Sequence, residues 1–145
     1  MIDEQAFLDL SVALAGFEPF DLVATGQVHA YFTLVGDRIG PDTLARLSTT
    51  WSAIARELPA DQRDAAVTAR IMDDPVLGLA AQRIILLWYV GNWYDVLPGG
   101  SSVVSADGYV EGLMWKAIRA HPMAAKPQGF AAWTLPPPAA HEGVA

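Results

Sequence analysis

The sequence predicts an all-α fold, a compact bundle of about five to six helices followed by an irregular arm rich in proline and aromatic residues. Three observations carry this. Apolar residues recur at three- and four-residue spacing through most of the first 120 positions, the period of one helix face. Prolines and glycines fall mainly between those stretches. From His121 onward, Pro122, Pro127, Gly129 and Pro136 to Pro138 leave no room for a long helix. One domain is expected over 1–145, with a helical core at about 4–120, the arm at about 121–138 and a disordered tail at 139–145.

The first helix is expected over 4–15, with Phe7, Leu10 and Leu14 on one face, Asp3 as N-cap, and Gly16 and Pro19 as the stop. A second is expected over about 22–36, with Val28, Tyr31, Phe32 and Val35 on one side and Gly36 at its end. The third is the clearest. Pro41-Asp42 opens it, and Leu44, Leu47, Trp51, Ile54 and Leu58 follow before Pro59. A fourth runs from Asp61 to near Asp73 through Ala65, Val67 and Ile71. Asp74-Pro75 then reads as an N-cap with proline at the first helical position, opening a fifth helix to about Tyr89. That helix is apolar nearly all round, which places it mid-bundle or against a partner. Pro98 to Ser102 is a loop and Val103-Val104 is extended. A last helix covers about 107–119, with Val110, Leu113, Met114 and Ala117 near one face.

Composition narrows the function classes. Hydrophobic residues at 52% against charged residues at 17% exclude a disordered chain. Such a chain has an unusually full core or hides apolar surface against something else. Nine scattered cations under a net charge of −7 argue against nucleic-acid binding. The absence of cysteine removes disulfides, thiolate metal sites and a cysteine nucleophile. Met1-Ile2-Asp3-Glu4 is acidic where a secretion signal needs a basic start. Pro75 to Tyr94 is long enough to span a bilayer, but it carries Gln82 and Arg83 in its middle. An arginine there costs roughly 2.5–3.5 kcal/mol, so the stretch reads as a buried helix rather than a transmembrane segment.

Catalytic chemistry is hard to place. His29, His121 and His141 have no histidine or cysteine at ligand spacing. His29 suits a satisfied core or partly exposed imidazole, and His121 a helix C-terminal cation. Asp61 and Asp64 fit the first turn of a helix, and Asp74 a cap. There is no phosphate-binding glycine loop, no nucleophile elbow and no Glu-x-x-His pair. No catalytic, cofactor-binding or metal-ligating residue is therefore assigned. The aromatics remain. A core position is the default for Trp88, in the dense Trp88-to-Tyr94 stretch. Trp93, Tyr94, Phe130 and Trp133 lie outside the clean helices and suit an interface as well as a core.

The C-terminal half resembles the small subunit of bacterial FAD-dependent sugar and polyol dehydrogenase complexes. The likeness begins loosely at Phe7 to Ser11 and Leu14. It strengthens at Ile84 to Gly91, similar to that family's apolar helix ending in Trp-Tyr-x-Gly. Val103-Val104-Ser105, Leu113 to Ala117, Pro127 to Phe130, Trp133 and Pro136-Pro137 then follow in the family's order. Together these cover about 80–138 well and 5–60 loosely.

The resemblance implies a noncatalytic, chaperone-like subunit that stabilises a separate large flavoprotein of the glucose–methanol–choline type and supports its maturation or export. FAD belongs to that large subunit, and a multihaem cytochrome c subunit is a further expected partner. Partner contacts would come from Trp88, Tyr89, Trp93, Tyr94, Trp115, Phe130 and Trp133, using the loop 92–104 and the arm 121–138. Two departures stand out. No twin-arginine signal precedes the first helix, so the complex is periplasmic or membrane-associated if a signal was removed, and cytoplasmic if the chain is natively signal-less. Where relatives often have a cysteine, Met123 to Lys126 stands here, so attachment would be noncovalent. An alternative class is a free-standing helical module with the 88–94 stretch as the wall of a sugar or apolar-ligand pocket. An independent enzyme built on scattered carboxylates is a third. The early acidic residues, ahead of the first cation Arg38, predict an acidic N-terminal face opposite an apolar C-terminal one.

Overall fold

The computed structural model describes residues 2–95, 100–120 and 122. The arm from 123, the tail 139–145, Phe130, Trp133, His121 and the Pro98-Gly99 turn lie outside the described residues. What is described is an all-α bundle with one two-stranded hairpin.

Helix α1 (Glu4–Ala15) starts where the Asp3 carboxylate accepts the Ala6 N–H at 2.8 Å, and stops at left-handed Gly16. The helix expected over 22–36 is two helices, α2 (Pro19–Ala24) and α3 (Val28–Ile39). Between them Thr25 Oγ1 donates to the Leu22 carbonyl at 2.6 Å and accepts the Gln27 N–H at 3.1 Å. Those bonds close α2 one turn early, and Gly26 at φ 68° turns the chain. Helix α4 (Pro41–Glu57) matches its expected span and buries Leu44, Leu47 and Ile54. Helix α5 (Ala60–Val67) continues into a π-helical turn, Thr68–Met72, which seats Ile71 in the core.

Helix α6 (Leu77–Val90) is the centre of the bundle. Helices α1, α3 and α4 and the π turn pack on it, as do α7, α8 and the first strand. The Asp74 carboxylate accepts both the Val76 N–H at 2.9 Å and the Leu77 N–H at 2.8 Å. Those donors, helped by nearby Arg46, hold its pKa below the usual carboxylate range. The first helical residue is Leu77, so Pro75 belongs to the preceding turn and not to the first helical position expected for it. The inward residues of α6 include Ala80, Ala81, Ile84, Leu87 and Trp88, all buried.

Left-handed Gly91 ends α6 and feeds strand β1 (Asn92–Tyr94). It pairs antiparallel with β2 (Ser101–Val103), Trp93 opposite Ser102. The final helix expected over 107–119 is also divided, into α7 (Ala106–Val110) and α8 (Leu113–Ala117). Gly112 makes the break. A Cβ there would lie 2.6 Å from the Tyr89 carbonyl oxygen, so α8 starts against α6 only because that atom is missing.

Candidate interaction surface

The aromatic residues separate into a sealed set and an open set. Trp88 is sealed: its indole meets Tyr31 edge-on with ring centroids 4.9 Å apart and stacks on Phe7 at 6.4 Å. Phe7 also contacts Phe32 at 5.7 Å. Burial pushes the Tyr31 phenol up to about 12. Trp93 is 2% exposed although it lies on a three-residue strand. Trp88 and Trp93, both expected among the partner contacts, are therefore used inside this chain and offer no free surface. The alternation of a strand puts Trp93 inward and its neighbours Asn92 and Tyr94 half-buried.

Tyr89 is half-buried and acts as a strut. Its hydroxyl donates to the Ala15 carbonyl at 2.9 Å, and its ring meets Phe17 edge-on at 5.8 Å. This ties the end of α1 to the end of α6. Beside Tyr94, Asp95 faces Arg38 at 3.7 Å.

Trp115 belongs to the open set. Its indole N–H donates to the Tyr109 carbonyl at 2.8 Å, and the two rings meet edge-on at 5.4 Å. Its other side lines an open groove of about 320 Å³ between α2 and α8, with Phe20, Ala24, Val110, Leu113 and Pro122. Lys116 pairs with Asp21 across it. Phe20 is 79% exposed on the rim, with Val23 and Ile118 also exposed. The chain leaves the described region at buried Pro122, inside this groove.

Phe20 and Val23 correct the expectation of a purely C-terminal apolar face. Asp3, Glu4, Asp9, Glu18 and Asp37 are exposed, but α2 places two large apolar side chains among them. The six-residue helix between Glu18 and Gly26 is too short to bury more than one side, and only Leu22 is spent inward. A second groove lies between α1 and α3, lined by Glu4, Leu8, Val23, Val28 and His29, with the His29 imidazole 2.8 Å from the Glu4 carboxylate. Both grooves are lined by residues outside the 88–94 stretch.

Among the described residues no group of three or more histidine, aspartate or glutamate side chains converges. No described helix is long and apolar enough to cross a membrane. Comparison with protein-family models, with curated proteins and with solved structures finds no match.

Proposed function

We propose that this chain is a noncatalytic accessory subunit that binds and stabilises an FAD-containing large subunit of the glucose–methanol–choline type in a sugar, polyol or glycoside dehydrogenase. The observation that carries the reading is the open set of apolar side chains. Phe20 at 79% exposure sits on the rim of a groove floored by Trp115. A single buried phenylalanine contributes about 1.5–3 kcal/mol, so its exposure is unfavourable until something covers it. The sequence resemblance supports the identity of that cover. Two of its segments, Ile84 to Gly91 and Leu113 to Ala117, lie on α6 and α8, which pack against each other.

On this reading Trp115, Phe20 and half-buried Tyr94 are the described partner contacts, and attachment is noncovalent because the chain has no cysteine. The cofactor and the redox chemistry belong to the large subunit. The test is co-expression of the flavoprotein with and without this chain, and with the Phe20→Ser/Trp115→Ala double variant. The chain should raise soluble yield and FAD loading, and the double variant should lose most of the gain. Equal yield, loading and dehydrogenase activity without the chain would end the proposal.

A further inference from the structure

Helix α6 has an outer face as ordered as its inner one. Val76, Leu79, Arg83, Leu86 and Val90 follow at spacings of 3, 4, 3 and 4, one stripe of a helix. Val76, Leu79 and Leu86 remain 50%, 41% and 39% exposed. Arg83 is the helix's only charged residue and stands at the centre of the stripe. Two arginines of the chain are half-buried, and they differ. Arg63 donates to the Leu58 carbonyl at 3.0 Å and the Ala55 carbonyl at 2.8 Å. The Nη2 of Arg83 is buried with no acceptor among the described residues. A guanidinium stays charged at any physiological pH and carries five N–H donors. Arg83 makes no hydrogen bond or ion pair among the described residues, so its charge stands unpaired at the centre of an apolar stripe.

We propose that this face of α6 docks an apolar helix of a different polypeptide that presents a carboxylate opposite Arg83. The charge selects the occupant. Two copies of this chain pairing through the stripe, parallel in register or antiparallel about a two-fold axis, bring Arg83 against Arg83, because 83 is the midpoint of 76–90. Two guanidinium groups meeting between leucines repel. A carboxylate on a foreign helix instead forms a paired, charge-assisted hydrogen bond where the surroundings exclude water. The helix is about 21 Å long at 1.5 Å per residue, which fits one partner helix as part of a larger interface. The inference rests on the accessory-subunit reading only in requiring a foreign chain.

The test uses the full chain and a synthetic amphipathic helix of about three heptads, with leucine at the seam and Glu, Gln or Lys at its central position. Amide chemical-shift mapping reads where and how tightly each peptide binds. The Glu peptide should shift residues of α6 and bind about tenfold more tightly than the Gln peptide. Arg83→Met should abolish that preference, and Arg83→Glu should transfer it to the Lys peptide. Circular dichroism checks that both variants are folded, and Arg83→Met carries the test alone if Arg83→Glu is not. Absence of α6 shifts up to the solubility limit, or equal binding of Glu and Gln peptides, would overturn the proposal. So would a homodimer that Leu86→Glu dissociates. Peptide ranking intact without any effect of the chain on a flavoprotein would refute the accessory role and leave this face standing. The reverse result would refute only the face.

Discussion

Gly16 and Gly91 form a natural control pair for the packing of this fold. Each follows an α-helix in the left-handed region, at φ 72° and φ 70°. A Cβ on Gly16 meets nothing within 4 Å. A Cβ on Gly91 would lie 2.4 Å from the carbonyl carbon and oxygen of Gly108 and 2.7 Å from the Tyr109 nitrogen. Ordinary carbon contacts are about 3.5–4.0 Å, so α7 would have to move outward by about 1 Å. No rotamer change relieves this, because the obstacle is backbone. Gly16→Ala should therefore cost only the left-handed conformation, about 1 kcal/mol. Gly91→Ala should cost that plus overpacking at the upper end of its range, about 3–4 kcal/mol together. Urea denaturation followed by far-ultraviolet circular dichroism measures both. The midpoint should fall for each variant, several-fold more for Gly91→Ala. If the two costs agree within about 0.5 kcal/mol, the backbone contact between α6 and α7 is not tight and the reasoning fails.

Two other perturbations follow from buried polar groups. Ser11 is fully buried on α1 and its hydroxyl has no hydrogen-bond partner among the described residues, so Ser11→Ala should stabilise the chain by about 1 kcal/mol through lost desolvation and better helix propensity. A lower melting temperature would show that the hydroxyl is satisfied in solution. The Tyr31 phenol titrates at about 12 in the fold against 10.0 without its surroundings. Its contribution is fully present below pH about 10 and is lost as pH rises towards 12, because the unfolded phenol ionises first. Alkaline unfolding should begin later for Tyr31→Phe than for the wild type once both are normalised to neutral pH, and identical alkaline profiles would count against the burial argument.

The parts of the fold legible in the sequence are those set by nearest neighbours. Asp3 and Gly16 bound α1 because a carboxylate can reach an N–H three residues on and a glycine can take positive φ. Pro41 and the spacing from Leu44 to Leu58 define α4 for similar local reasons. The breaks at Gly26 and Gly112 were not legible, because the apolar period continues across both. Periodicity reports which side of a helix is apolar, and stays silent on whether the axis bends between two turns. Gly112 is decided by the Tyr89 carbonyl, more than twenty positions earlier in the chain. Strand β1 is decided by its pairing with β2, and its Trp93 is buried where the strand packs on α6. The candidate surface was legible in residue type and only partly in place. Half-buried Trp115 lines an open groove, whereas Trp88 and Trp93 are sealed and Phe20 and Arg83 emerge only from the packing.

The position of α6 gives its outer stripe a consequence beyond binding. Its inner face holds Ile84, Leu87 and Trp88, and helices α1, α3, α4, α7 and α8 pack on the helix. A ligand that binds only the folded outer face adds its binding free energy to the stability of that whole arrangement. At a hundred times its dissociation constant the gain is about 2.7 kcal/mol. That is comparable to the penalty expected for the Gly91 clash. A partner docked on Val76, Leu79, Arg83 and Leu86 would therefore raise the melting temperature of Gly91→Ala and of the wild type by similar amounts, since the ligand term depends on concentration and affinity and not on where the core was weakened. A ligand seated in the Phe20–Trp115 groove behaves differently, because α8 reaches α6 beside the same α6–α7 contact that Gly91→Ala disturbs. Its affinity, and hence its stabilisation, should fall in that variant. The pair of responses separates the two surfaces without mutating either.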